Sequence, residues 1–277
     1  MRRLISFLFL LAAPPALAQT EKPLWEAGVG GVAAWSPDYP ASAQNHWNVI
    51  PFPFVIYRGD SVEVTERGRL RGYLFDTDRF ELDVSAAGAF AADSKDNDAR
   101  RGMPDLDFLG EIGPRLGVTL HDGPARLIRL DLQARAVFST DLRHFGFEGF
   151  VLNPELVWRE RPLLGFKGVE AEFRLGPLVA DRRLQGYFYG VDPRYARPGR
   201  PAYGADAGYL GTQSSLTLRL PLTDRARLSA GLNAGWFKGA SNEGSPLYRD
   251  DVNWGASLAV LVSLYQSGRT TRAATDD

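Results

Sequence analysis

Apolar and polar side chains alternate along most of this sequence with a period of two residues. Between Ile128 and Phe138 every second residue is apolar, and three of the five residues between them are charged. The same alternation recurs in three other long segments, which are residues 80–90, 210–222 and 254–264. Because two residues is the side-chain repeat of a β-strand, the pattern predicts long strands with one apolar and one polar face. Hardly any segment has the periodicity of a helix.

The alternating segments predict about twelve strands. They are placed at 24–35, 48–58, 61–67, 69–75, 79–92, 106–121, 125–139, 147–159, 164–180, 208–222, 226–238 and 251–266. If the two short segments near residues 61–75 are not separate strands, the count is ten. The later connections alternate between short ones (121–124, 160–163, 223–226) and long ones (93–105, 140–146, 181–207, 239–250). Short turns at one rim and long loops at the other are typical of an outer-membrane barrel.

The polar face of these strands, formed by every second residue, carries charged side chains in the middle of the strands. A β-sandwich hides its apolar faces between two sheets and has strands of about five or six residues, whereas the predicted strands are longer. In lipid a sheet must close on itself, because an open edge leaves backbone groups without partners. We therefore predict an all-β, transmembrane, antiparallel up-and-down β-barrel, with a periplasmic sandwich or soluble barrel as the alternative. The charges expected to point into its wet lumen are Glu111, Arg115, Arg129, Asp131, Arg135, Glu170, Glu172 and Arg174.

The first residues have the form of an export signal. Arg2 and Arg3 precede a short apolar run over residues 4–13, and Ala16-Leu17-Ala18 supplies the small residues of a cleavage site. The run is too short to span a bilayer. We expect a signal peptide over residues 1–18 that is cleaved after Ala18, a barrel over 19–265 in the outer membrane, and a polar, disordered tail over 266–277.

Composition excludes several classes of function. The chain has 277 residues with 32 Lys+Arg against 33 Asp+Glu, and its near-zero charge argues against a nucleic-acid partner. It has no Cys, which excludes thiolate metal sites and Cys nucleophiles. The three His residues fall in predicted loops or turns, outside any nucleophile motif. We expect no catalytic residues, no cofactor and no metal site.

Two long loops hold the candidate contact residues. In the first, Met103, Pro104 and Asp105 are expected either to contact a cation or partner, or only to shape the loop. The second, residues 181–207, is rich in Tyr and Arg, the residue types enriched at binding hot spots. It is expected to plug the lumen, to reach a partner, or only to stack and pair at the rim. Its candidate residues are Tyr187, Tyr189, Arg200 and Tyr203.

Pro51 and Pro53 lie in one predicted strand. Each removes a backbone donor, so we expect a bulge or a bend in this strand at the rim.

Nine short blocks of sequence are spread over nearly the whole chain. They are Gly28-Val29-Gly30-Gly31, Pro37-Asp38-Tyr39-Pro40, Ile50-Pro51-Phe52-Pro53, Gly102-Met103-Pro104-Asp105, Glu111-Ile112-Gly113-Pro114, Arg174-Leu175-Gly176-Pro177, Tyr187-Phe188-Tyr189-Gly190, Arg200-Pro201-Ala202-Tyr203 and Ser245-Pro246-Leu247. Singly each is weak, but together, and in this order, they resemble the MipA/OmpV family of outer-membrane proteins. The tail beyond Tyr265 departs from the family's pattern.

The resemblance implies an outer-membrane β-barrel in contact with lipid and lipopolysaccharide. For the MipA branch it implies a non-enzymatic scaffold that contacts a lytic transglycosylase and a murein synthase. For other members it implies adhesion, osmotic response or solute passage, so a channel and a surface adhesin stay as alternatives. A scaffold for murein enzymes needs periplasmic surface, yet most of the loop length is expected on the outer side.

Overall fold

Antiparallel strands make up most of the chain. The computed structural model describes residues 22–58, 62–64, 70–72, 75–77, 79–166 and 168–271. The strands are β1 (Lys22–Pro23), β2 (Trp25–Pro37), β3 (Asn45–Arg58), β4 (Val62–Val64), β5 (Leu70–Gly72), β6 (Phe75–Asp76), β7 (Phe80–Ala89), β8 (Phe108–Asp122), β9 (Arg126–Thr140), β10 (Phe145–Glu160), β11 (Glu170–Ala180), β12 (Gly208–Pro221), β13 (Ala226–Trp236), β14 (Val252–Gln266) and β15 (Thr270–Thr271). One α-helix, α1 (Arg182–Tyr189), and three 3-10 turns at Ser94–Asp96, Leu163–Gly165 and Pro193–Tyr195 complete the described elements. No helix in these ranges has the length and hydropathy to cross a membrane.

Thirteen of the strands form one sheet that curls round on itself. Its order is β5-β4-β3-β2-β14-β13-β12-β11-β10-β9-β8-β7-β6, and every neighbouring pair is antiparallel. The first and last long strands, β2 and β14, pair with each other. The two ends of the order, β5 and β6, are consecutive in sequence. β5 also lies against β7, so the two edges of the sheet meet. The predicted up-and-down barrel is confirmed.

The sheet has ten long strands and three short ones among the described residues, compared with the ten or twelve strands predicted. Of the short ones, β4 and β5 fall within the two short segments predicted at 61–67 and 69–75, and β6 overlaps the end of the second. The largest difference in bounds is at β11, which begins at Glu170 instead of residue 164. Leu164 and Gly165 have φ values of +51° and +82°, and this left-handed backbone cannot belong to a strand. The loop predicted at 181–207 also contains α1, a helix that the alternation did not predict.

The bulge expected at Pro51 and Pro53 is absent, because β2 and β3 pair without any shift of register. The N–H of Arg58 donates to the carbonyl of Leu24 beside β2, at 2.9 Å. In an unbroken ladder, the backbone groups of even-numbered β3 residues therefore face β2, and those of odd-numbered residues face away. Both prolines thus lie where β3 needs no donor for its ladder with β2, which is how a sheet tolerates proline.

Burial is the reverse of that in a soluble sheet. In β11, Phe173, Leu175 and Val179 are exposed, whereas Glu172 is only 2% exposed. All six tryptophans are 38–70% exposed, and each lies within two residues of the end of a long strand. An apolar outer face flanked by aromatic residues at both rims suits hydrocarbon between two interfaces.

The two ends of the described chain meet beside the short-turn rim. β1 pairs with β15, so that Lys22 lies opposite Thr271 and Pro23 opposite Thr270. The tail that we expected to be disordered is therefore ordered as far as Thr271. The predicted signal peptide and the last residues of the tail, 272–277, lie outside the described residues.

Candidate functional site

One side of the lumen is filled by an ion-pair network centred on Arg115. Its Nε donates to Asp83 Oδ1 at 2.8 Å, its Nη1 lies 3.0 Å from Asp131 Oδ1, and its Nη2 lies 3.0 Å from Glu81 Oε1. Arg129 also contacts Asp131, with Nε 2.6 Å from Oδ1. β7, β8 and β9 supply these side chains. Arg115, Arg129 and Asp131 are at most 1% exposed, so the centre of the network is shielded from bulk water.

A second network lies on β10, β11 and β12, with Glu172 at its centre. Three arginines reach this carboxylate: Arg159 Nη2 at 3.0 Å, Arg174 Nε at 2.9 Å and Arg219 Nη2 at 3.2 Å. Arg174 also contacts Glu155 at 2.7 Å. Glu172 is shared by three arginines, and further acids lie beside these arginines. The positive and negative charges of the lumen therefore offset one another in direct contacts.

The eight predicted lumen charges all belong to such interior contacts. Five are buried, and Glu111, Glu170 and Arg174 are partly buried. Glu111 accepts from Arg135 Nε at 2.8 Å, and Glu170 lies 3.7 Å from Arg159. Interior charges that the prediction did not select are Glu26, Arg58, Glu81, Asp83, Glu155, Arg159, Arg219 and Arg227. The charges in this list that lie in alternating segments are on the same polar face as the eight selected ones, so the alternation could have predicted them too.

Helix α1 covers the long-loop mouth of the barrel. Leu184, Phe188 and Tyr189 are buried in one apolar cluster with lumen-facing strand residues such as Val137 and Leu178. This folded region over the mouth, made of residues 38–44, 90–107, 181–207 and 237–251, is called the cap below. Loop 181–207 was expected to plug the lumen, to reach a partner, or to stack and pair at the rim. In the structure its helix α1 plugs the mouth of the lumen.

The start of α1 is fixed by a side-chain cap. Asp181 Oδ1 accepts from the N–H of Leu184 at 2.9 Å, which satisfies one of the free donors of the first turn. Gly149 in β10 makes room for this carboxylate: it has φ +119°, and a Cβ there would lie 2.2 Å from Asp181 Oδ1. The spacing of Asp181, Leu184 and Phe188 is the signal in the sequence that would have predicted the helix.

Buried hydroxyl groups tie the cap together. The Tyr189 hydroxyl donates to the carbonyl of Pro40 at 3.0 Å, and the Tyr39 hydroxyl donates to that of Leu247 at 2.8 Å. Ser245 Oγ donates to the carbonyl of Tyr189 at 2.7 Å. Burial raises the pKa of Tyr39 to about 12 and raises the pKa of Tyr189 as well. These phenols therefore stay neutral and keep donating at physiological pH.

A cavity of about 700 Å³ opens on the outer side of the cap, between the loops at 90–107 and 181–207. We call it the outer pocket. Five of the seven candidate contact residues line it, and these are Met103, Pro104, Asp105, Tyr187 and Tyr203. The other two hold the cap: Tyr189 lies in the apolar cluster, and Arg200 donates to the carbonyls of Ala99 (2.8 Å) and Arg101 (3.0 Å).

Three acidic side chains of loop 90–107 contact other groups of the cap. Asp93 pairs with Lys95 at 2.9 Å, and Asp98 pairs with Arg101 at 2.7 Å. Asp105 accepts from the N–H of Ser94 at 2.6 Å. Among the described residues, no group of three or more His, Asp or Glu side chains is placed to hold a metal ion.

A second cavity, of about 410 Å³, lies beneath the cap inside the lumen. Its roof includes Leu184 and Phe188, and its polar lining includes Glu111, Arg135 and Asn153. The barrel interior therefore changes along its axis from an apolar cap, through a mixed cavity, to the ion-pair networks.

Comparisons with known proteins identify a family and several solved structures of low sequence identity. A model of the family described as MltA-interacting protein MipA matches residues 29–263. No curated protein matches the sequence. The chain is similar to an outer-membrane channel from Pseudomonas putida F1 at 12% identity, covering 91% of this chain and 100% of that one with a TM-score of 0.48. It is also similar to a bacterial polysaccharide outer-membrane secretin (10% identity, 88% and 99% covered, TM-score 0.43) and to the NanC porin (9%, 86% and 100%, 0.40). At these TM-scores none of the similarities bears on function.

Proposed function

Because the chain belongs to the MltA-interacting protein MipA family, we propose that this outer-membrane barrel is a non-enzymatic scaffold of the envelope. The partners proposed are a lytic transglycosylase and a murein synthase, reached from the periplasmic side. We further propose that the signal peptide is removed after Ala18, and that the outer face contacts lipid and lipopolysaccharide.

The observation that carries this proposal is the closed outer mouth. Opening it would expose Leu184, Phe188 and Tyr189, which are at most 8% exposed. Burying a side chain of this size contributes about 1.5–3 kcal/mol, so a stable open pore is disfavoured. A barrel that keeps its mouth shut is better suited to hold partners than to pass solutes.

A contact surface is available on the short-turn rim, which faces the periplasm in barrels of this type. The connection between β10 and β11 carries Leu164 and Phe166, which are 85% and 65% exposed. We propose that these two apolar side chains form the contact surface for the partner. This connection supplies periplasmic surface that the short turns alone were not expected to offer.

Photo-crosslinking in intact cells tests the scaffold. A benzoylphenylalanine in place of Leu164 or Phe166 should crosslink to a murein enzyme, to be identified by mass spectrometry. Leu142 is the matched control: it is 88% exposed and also has a positive φ, but lies on the opposite rim. If positions 164 and 166 yield no periplasmic partner, or only what position 142 yields, the scaffold is refuted.

The cavity beneath the cap favours a second candidate, solute passage that requires the cap to move. Planar-bilayer recording of the intact chain should show no stable steps. A variant that lacks residues 183–188 should conduct, because it loses the apolar side chains that close the mouth. If this variant folds and stays silent, passage through the lumen is refuted.

A further inference from the structure

Arg100 is a buried cation in the lining of the outer pocket. It is 4% exposed. Its Nη1 donates to the carbonyl of Phe188 and its Nη2 to that of Pro104, both at 3.2 Å. Its Nε is buried and has no hydrogen-bond partner among the described residues. Within the same ranges, no carboxylate lies within 4.0 Å of its guanidinium, unlike the lumen arginines of the two networks.

The surroundings leave this charge poorly compensated. Burial lowers the pKa of Arg100, and the positive charge of Arg200 lowers it further, while Tyr39, Tyr187 and Asp105 act in the opposite direction. An arginine does not lose its proton in a protein. The cap therefore holds a desolvated positive charge, which carbonyl dipoles and the ring of Tyr39, 5.8 Å away, stabilise only in part.

The remaining walls of the outer pocket are mainly aromatic and apolar. Tyr187, Tyr195 and Tyr203 line it together with Met103, two prolines and several small residues. Its volume lies within the range of small-molecule sites, which is about 300–1,000 Å³.

The acidic residues in the lining already have partners. Asp105 accepts the Ser94 N–H, and Asp192 lies 3.5 Å from Arg194. Arg182, at the exposed margin, pairs with Asp206 at 2.9 Å. Arg100 is thus the buried cation of this lining that has no carboxylate partner.

We propose that the outer pocket binds a small organic anion, with its carboxylate on Arg100 and its ring against the tyrosines. The bound carboxylate lies beside the Arg100 guanidinium and neutralises its buried charge, and the ring fills the apolar walls. Arginine suits this role because its planar guanidinium matches a carboxylate. The site is on the outer side and is independent of any periplasmic scaffold partner.

The test uses the full mature chain in detergent and isothermal titration calorimetry. The probe is 1-naphthoate, and 1-naphthalenemethanol is the neutral analogue with the same ring. The wild type should bind 1-naphthoate at least tenfold more tightly than the neutral analogue. Arg100→Gln should reduce naphthoate affinity at least tenfold, and Arg126→Gln should leave it unchanged because Arg126 pairs with Glu160 at the opposite rim, outside the pocket lining.

A second variant covers the case in which Arg100→Gln disturbs the cap. A Cβ at Gly186, which lines the pocket, would have no atom within 4 Å. Gly186→Phe should therefore fill the pocket while the barrel keeps its heat-modifiable migration in electrophoresis, and it should abolish binding. No binding by the wild type at millimolar naphthoate, equal binding of the two probes, or unchanged binding by a folded Gly186→Phe would each overturn the proposal.

Discussion

Replacing Arg115 by Met should test directly whether the lumen network is sealed from water. Arg115 holds three carboxylates, those of Glu81, Asp83 and Asp131, and is 1% exposed. Within the part of the chain that the structure describes, its removal leaves Arg129 in contact with Glu81 and Asp131. Removing one partner of a buried ion pair costs about 3–5 kcal/mol, because the remaining charge is uncompensated in a low dielectric. We expect the free energy of unfolding to fall by this amount.

The measurement is guanidinium unfolding in lipid vesicles, followed by tryptophan fluorescence. Arg126→Met is the control, because Arg126 pairs with Glu160 at an exposed rim position and such pairs contribute about 0–1 kcal/mol. Adding Asp83→Asn to Arg115→Met should recover about 0.5–3 kcal/mol relative to additivity, since one unpaired carboxylate is removed. If Arg115→Met costs no more than Arg126→Met, water solvates the network and the closed interior is wrong.

Two further perturbations address the wall and the cap. Gly113→Ala should lower the free energy of unfolding by about 1–3 kcal/mol, because its Cβ would lie 2.0 Å from the carbonyl oxygen of Ala134; Gly110→Ala, with open space at its Cβ, should change it by less than about 0.5 kcal/mol in the same unfolding assay. For the cap, the pKa of Tyr39 is raised to about 12 by burial, so its stabilising contribution is complete below the ordinary tyrosine pKa of about 10 and is lost as pH rises through 12. The melting temperature of the wild type should therefore fall more between pH 9 and pH 12 than that of Tyr39→Phe. An equal fall in both proteins would contradict the burial of this phenol.

Strand positions could be predicted because alternation is a local property. In β9 the parity of Arg129, Asp131 and Arg135 is visible without any knowledge of the neighbours, and it also gives the side of the sheet. The start of β11 could not be predicted in this way, because the left-handed turn at Leu164 and Gly165 interrupts a segment that still reads as apolar.

The site could be predicted only in part, because its geometry depends on closure and on loop packing. Glu26 is contacted by Arg58 at 2.7 Å and by Arg227 at 2.9 Å, and the second contact exists only because the first strands of the barrel lie beside the last. Composition identified loop 181–207 as rich in Tyr and Arg, but it did not separate Arg200, which binds backbone carbonyls inside the cap, from residues that line the pocket.

The pairing of β2 with β14 has a consequence for how the molecule is made. Synthesis and export deliver β2 at the start of the barrel and β14 at its end, so β2 must wait with one side unpaired until more than two hundred residues have followed. Contacts so distant in sequence form slowly. During that interval the exposed backbone of β2 needs a temporary neighbour, so a chain that stops before Val252 should remain bound to the assembly machinery instead of being released into the bilayer.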